Sequence, residues 1–189
     1  EEDLPDIVSR WREANKRIRD LWYSMDNAAV QVITQGGSVG INGLLLAREY
    51  DYNQSTDCFT IQLPSGRKLY YVSPDIGENQ WGNPSISYMG MDQKTKRWKR
   101  IETYGGKLVE NCVQAIARDC LALSIDRLEA AGLPVVFHVH DEVVIDVAPW
   151  DTEDAMLSTV CSIMGEPVPW ALDLPLKAAG WVGYYFTKD

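Results

Sequence analysis

The chain has 189 residues, 46% of them hydrophobic and 24% charged, a balance that supports a globular core in one domain or in a substantial piece of a larger protein. No apolar run approaches the ~20 residues of a membrane span, and the acidic start Glu1-Glu2-Asp3-Leu4-Pro5 has no signal-peptide core. A net charge of -9 and a pI of about 4.7 argue against a generic nucleic-acid binder.

The first residue is not Met, so the chain reads as trimmed from a longer one. Cys58, Cys112, Cys120 and Cys161 are scattered with no C-x-x-C pair, which favours a reduced, cytoplasmic setting over a disulfide framework or a zinc site. The charge is uneven: Lys94, Lys96, Arg97, Lys99 and Arg100 fall close together, with Lys107 beyond. Such a strip reads first as a solvated hairpin arm, although a local basic patch on an acidic body can meet a phosphate backbone.

In chain order, Asp3 is placed to cap a first helix with Pro5 in its opening turn. Ile7, Trp11, Ala14, Ile18, Leu21, Trp22, Met25, Ala28, Ala29 and Val32 then recur at helical spacing, predicting one amphipathic helix of roughly seven turns. Gly36-Gly37 ends it. Residues 43–46 and 59–63 are strand-like, 64–67 form a turn, and 68–72 make a partner strand. Residues 74–85, rich in Pro, Gly and Asn, read as a loop. A second hairpin, 86–89 with 97–101, turns around Asp92-Gln93-Lys94. A long helix over about 107–131 follows Gly105-Gly106 and stops at Gly132. Asp151-Thr152-Glu153 opens another helix through Met164, and Trp170 to Phe186 reads as a strand returning to the sheet.

Two segments carry chemistry. On the long helix, Lys107, Asn111, Gln114 and Arg118 fall within an arc of roughly 60°. Val109, Cys112, Val113, Ile116, Cys120 and Leu123 cluster opposite, and further along the polar stripe becomes Leu121, Ile125 and Leu128. Amide and cationic side chains on one narrow face suit base edges, sugars and phosphates, although an ordinary solvated face looks the same.

The second segment is Phe137 to Val147, a run of β-formers broken by His140-Asp141-Glu142, which predicts a hairpin with that polar knot at its tip. Strand alternation opposes adjacent side chains, so Asp141 is expected as a direct ligand of a divalent cation and Glu142 as its support. An oxygen donor of this kind suits Mg²⁺. A two-metal site needs a further carboxylate from elsewhere. His138 and His140 form an H-x-H, which with Glu142 suggests a rival zinc or iron centre; the plainer expectation for His138 is a partly buried strand residue.

Three segments in this order resemble the family A DNA polymerases, the DNA polymerase I family. Ser65-Gly66-Arg67-Lys68-Leu69-Tyr70-Tyr71-Val72-Ser73-Pro74-Asp75-Ile76 resembles their G-R-x-L-Y-x-P-D segment. Tyr104 to Asp119 is similar to the helix before their last motif, in its phage-type form, and Val139-His140-Asp141-Glu142-Val143 is similar to the H-D-E of motif C in the palm. The opening helix resembles a fingers helix. Gln114 precedes His140 by 26 residues, and the ordered set is more specific than H-D-E alone.

The resemblance implies that Asp141 is the metal-binding aspartate of motif C, Glu142 its acidic neighbour, and His140 and Gln114 contacts of the primer terminus and minor groove. The family's Arg and Asn ahead of the glutamine fall on Gly106 and Glu110 in an ungapped match; Lys107 and Asn111, one residue later, are the substitutes, with Arg118 as a further DNA contact. The D-x-S-x-x-E segment and the nucleotide-binding helix of the family are absent from this sequence.

The fold class expected is therefore α+β: an antiparallel sheet with the motif C hairpin packed against long helices, as in a partial palm with part of the fingers. Three segments are expected: a fingers-type helix over 1–37, a β-rich insertion over 38–103 and a palm portion over 104–189. The function expected is that of the C-terminal part of a phage-type, DNA-directed DNA polymerase. It would use Mg²⁺, primer-template DNA and dNTP together with a missing N-terminal portion, in the cytoplasm of a bacterial host, and would be inactive alone. A non-catalytic nucleic-acid-binding remnant, a split-polymerase subunit and the H-x-H metalloenzyme are the alternatives.

Overall fold

A computed structural model describes residues 4–52, 55–79, 82–147 and 153–187. Asp3, the expected first cap, and Asp151-Thr152, the expected start of the last helix, lie outside the described residues. The chain divides into two compact units, Glu1–Gln114 and Ala115–Asp189. The class is α+β with a six-stranded antiparallel sheet.

The first unit opens with α1 (Leu4–Ala14) and α2 (Lys16–Gln35), where the sequence predicted one continuous helix. The break is at Asn15, whose φ and ψ are -116° and 47°. Its side-chain Nδ2 donates to the Trp11 carbonyl at 2.9 Å, and its own carbonyl accepts from Ile18 and Arg19 N–H. Asn competes with the helix through just such local bonds. Trp11 and Trp22 stack across the break at 5.6 Å.

Six strands follow as a meander: β1 (Ser38–Ile41), β2 (Leu44–Asp51), β3 (Thr56–Gln62), β4 (Lys68–Glu78), β5 (Pro84–Met91) and β6 (Trp98–Thr103). The β1–β2 hairpin turns on Asn42-Gly43, both with positive φ, so Gly43 belongs to a turn and not to a strand. The expected loop over 74–85 is largely strand. An irregularity between Val72 and Asp75, with Ser73 at φ 48°, absorbs the Ser73-Pro74 step, and pairing then resumes to Glu78 opposite Pro84. Pro84 is tolerated as the first residue of its strand.

Alternation decides which sheet residues meet α2. Arg48, Phe59 and Tyr71 are cross-strand neighbours on one face, as are Leu46 and Ile61. Phe59, Leu46 and Ile61 are fully buried with Met25, Ala29 and Val32 of α2. Each of these side chains other than Ala29 contributes roughly 1.5–3 kcal/mol by leaving water. Arg48 closes the end of α2, donating from Nη1 to the Ile33 carbonyl while its guanidinium forks onto Asp57. A cation is favourable at a helix C-terminus.

Helix α3 (Gly105–Ala130) begins in this unit. Gly105 N–H donates to Asp26 Oδ1 at 2.7 Å, so a carboxylate borrowed from α2 caps the positive end of α3. The approach is close: a Cβ on Gly105 would lie 1.9 Å from the Trp22 carbonyl oxygen. Glycine is required here by space.

The second unit holds the rest of α3, the hairpin β7 (Val135–Val139) and β8 (Glu142–Ile145), and α4 (Glu153–Met164). Helix α3 ends in a Schellman motif, with Leu133 N–H on the Leu128 carbonyl, Gly132 N–H on that of Glu129 and Gly132 at φ 77°. Glu129 then accepts the Val135 N–H at 2.6 Å, tying the start of β7 to the helix it follows. Arg127 donates to the carbonyls of Glu166 and Pro167 and holds the segment after α4.

The strand expected from Trp170 to Phe186 is not formed among the described residues. A single bridge, Val168 with Ala171, and short turns take its place; the N–H groups of Ala171, Leu174 and Leu176 are used locally. Pro175, inside this segment, lacks a ladder donor, which sets it against a paired strand.

Candidate functional site: the polar stripe of α3 and the β7–β8 tip

The hairpin tip is a two-residue loop. Val139 pairs with Glu142, leaving His140 and Asp141 outside the ladder. His140 takes φ 51°, the left-handed region in which His is enriched over most non-glycine residues. Asp141 sits in the loop and Glu142 heads β8, so the strict alternation expected to oppose them does not bind this pair. His140, Asp141 and Glu142 are all exposed. His138 is exposed too, contrary to the partly buried position expected of it. It stands in a two-stranded ladder opposite Val143, which covers it poorly. Phe137 instead meets Phe186 edge to face at 5.2 Å.

No group of three or more His, Cys, Asp and Glu able to hold a metal ion occurs among the described residues. The H-x-H centre therefore finds no convergent ligand set. Asp141 and Glu142 offer two adjacent carboxylates, which fits a Mg²⁺ ion that keeps water and phosphate oxygens as its remaining ligands.

On α3 the expected stripe is visible as exposure. Lys107, Gln114 and Arg118 are exposed and Asn111 is half-buried, whereas Leu121, one step further on the same stripe, is buried. Leu108, Val109, Cys112 and Ala115 are buried on the other side, but Val113 is exposed, against expectation. At 100° per residue Val113 lies about 100° from Cys112, far enough round to leave the interface.

Two stripe residues are engaged. Asn111 Nδ2 donates to the Tyr71 hydroxyl at 3.0 Å, and Lys107 pairs with Glu110 at 2.8 Å. Tyr71 is buried, with Phe59 and Tyr88 against its ring, and burial raises its pKa well above the ordinary tyrosine value while the Asn111 bond opposes the rise. Tyr71 fixes Asn111 and was not among the residues expected to serve the site. Its signal was the alternation of Leu69 and Tyr71 within the strand. Burial likewise pushes the Cys112 thiol up to about 11.

No protein-family model and no solved structure matches the chain. A DNA polymerase of Bacillus phage SP02 is 44% identical to it over 191 aligned positions. That alignment takes in the whole of this chain but only 28% of the phage polymerase. The chain thus spans under a third of the length of the relative it matches, and the likeness extends across both the α3 stripe and the hairpin tip. No helix among the described residues is long and apolar enough to cross a membrane.

Proposed function

We propose that this chain is the motif C-bearing part of a family A, phage-type, DNA-directed DNA polymerase. The observation that carries the reading is the 44% identity to a phage DNA polymerase over the full chain, with His140-Asp141-Glu142 exposed at a hairpin tip. In this reading Asp141 holds a Mg²⁺ ion and Glu142 supports it. Metal ions in such a site lower the pKa of the primer 3′-hydroxyl and neutralise charge on the transferring phosphoryl group.

The chain's own residues do the positioning. His140 and Gln114 meet the primer terminus and the minor groove, where contacts read shape more than sequence, as template-directed synthesis requires. Asn111, steadied by Tyr71, and the cations Lys107 and Arg118 hold the duplex backbone. The second metal-binding carboxylate and the nucleotide-binding helix come from the rest of the polymerase, so primer extension belongs to the complete enzyme.

The test is Asp141→Asn in the complete polymerase. Primer extension should fall by about a hundredfold or more while primer-template affinity is retained. Unchanged extension would remove Asp141 from the site and the reading with it.

A further inference from the structure

The sheet face turned away from α2 carries a feature that the polymerase reading does not use. Tyr71, Phe59 and Arg48 lie on the α2 side, so alternation puts Tyr70 and Val72 on the other. Val72 pairs with Met89, Met89 with Arg100 and Met91 with Trp98. Tyr70, Met91 and Trp98 therefore share the outer face of three neighbouring strands, and they are 61%, 49% and 56% exposed. Neither aromatic ring has an aromatic partner among the described residues.

Cations cluster at the β5–β6 end of this row. Residues 92–102 hold five (Lys94, Lys96, Arg97, Lys99 and Arg100) against two carboxylates, Asp92 and Glu102, a local balance of +3 in a chain of net -9. Arg100 rests its guanidinium on two neutral acceptors, the Ser73 carbonyl at 3.3 Å and Ser87 Oγ at 3.1 Å. Lys99 is paired with Asp92. Asp92 also accepts from the backbone N–H groups of Lys94 and Thr95 and from the Thr95 hydroxyl, so the turn that presents Lys94, Lys96 and Arg97 is ordered.

We infer that the outer face of β4–β6 binds single-stranded DNA, with bases stacking on Tyr70 and Trp98 and the phosphates following the cations of the β5–β6 turn. Exposed rings beside cations on a rigid sheet are what a strand with free base faces requires. An intact duplex hides those faces, which selects the single strand over the double. The inference is independent of the roles given to Asp141 and Gln114, and either can fail without the other.

The experiment is fluorescence anisotropy of a short labelled oligonucleotide titrated with the 189-residue chain at low salt, with an unlabelled duplex of the same sequence as competitor. Binding is expected, weakening as salt rises. Trp98→Ala should reduce affinity about fivefold or more, while Trp98→Phe, which keeps a ring, retains most of it. Lys96→Glu with Arg97→Glu should weaken binding and flatten its salt dependence. Absence of binding at low salt, indifference to both Trp98 replacements, or equal competition by the duplex would overturn the assignment. Loss of binding in Trp98→Phe as well would show that the ring is not the contact.

Discussion

Cys112 lies on the buried side of α3, one residue after the stripe amide Asn111, and its thiol is shifted up to about 11 by burial. The thiolate is the reactive species, so this cysteine should resist alkylation at neutral pH. Iodoacetamide labelling read by peptide mass should modify Cys161 and Cys120, which are only half-buried, before Cys112. Cys112 labelling should accelerate only as the pH climbs towards 11. Fast modification of Cys112 at pH 7 would mean that this face of α3 is open. The neighbouring Asn111 is a different kind of residue, polar and half-buried, and its bond to Tyr71 turns a flexible amide into a fixed one. Sequence periodicity placed Asn111 on the stripe and alternation set Tyr71 on one strand face with Leu69, but nothing local joined the two, which are 40 positions apart.

Helix α3 changes the face it buries along its length. Leu108, Cys112, Ala115 and Asp119 are buried in its first half and Leu121, Ser124 and Leu128 in its second, two stripes about half a turn apart at 100° per residue. A helix that served one core would keep one stripe, and the loss of the polar stripe beyond Arg118 is this change seen from outside. Its N-terminus is pinned by Gly105 against α2. Gly105→Ala should destabilise the fold by about 2 kcal/mol or more in urea unfolding, because the new Cβ would fall on the Trp22 carbonyl oxygen and against the backbone N and Cβ of Asp26, none of which is the free end of a flexible side chain. A midpoint unchanged from the wild type would contradict that packing.

Alternation around Gly66 and around Asp92 placed both hairpins, and Gly132 placed the end of α3. The Asn42-Gly43 pair is a strong hairpin signal, and it places Gly43 in the turn ahead of the strand rather than at the strand's start. The Asn15 break and the continuation of β4 past Pro74 were not legible. The first depends on a side chain choosing its own backbone over the helix, and the second on a bulge that only the neighbouring strand reveals. The strand expected near Trp170 failed because a run of apolar residues does not by itself provide a ladder partner.

For the whole molecule, the charge of -9 and the basic turn at 92–100 describe one acidic body with a local positive surface, a combination that overall pI conceals. The hairpin around His140-Asp141-Glu142 was legible because β-formers flank it on both sides, but its two-residue loop was not, since Glu142 already pairs with Val139. The role proposed for it rests on resemblance, since two carboxylates at a hairpin tip are common in water-exposed turns. The proposed polymerase role rests on Asp141 holding a metal ion at the point of nucleotide transfer. It is tested most directly by loading the complete polymerase, bound to primer-template and dNTP, with Fe²⁺ in place of Mg²⁺ and mapping backbone cleavage after peroxide treatment. Cleavage is expected at residues 139–143 and is lost in Asp141→Asn. Cleavage that spares this tip, or that persists there without the Asp141 carboxylate, would contradict it.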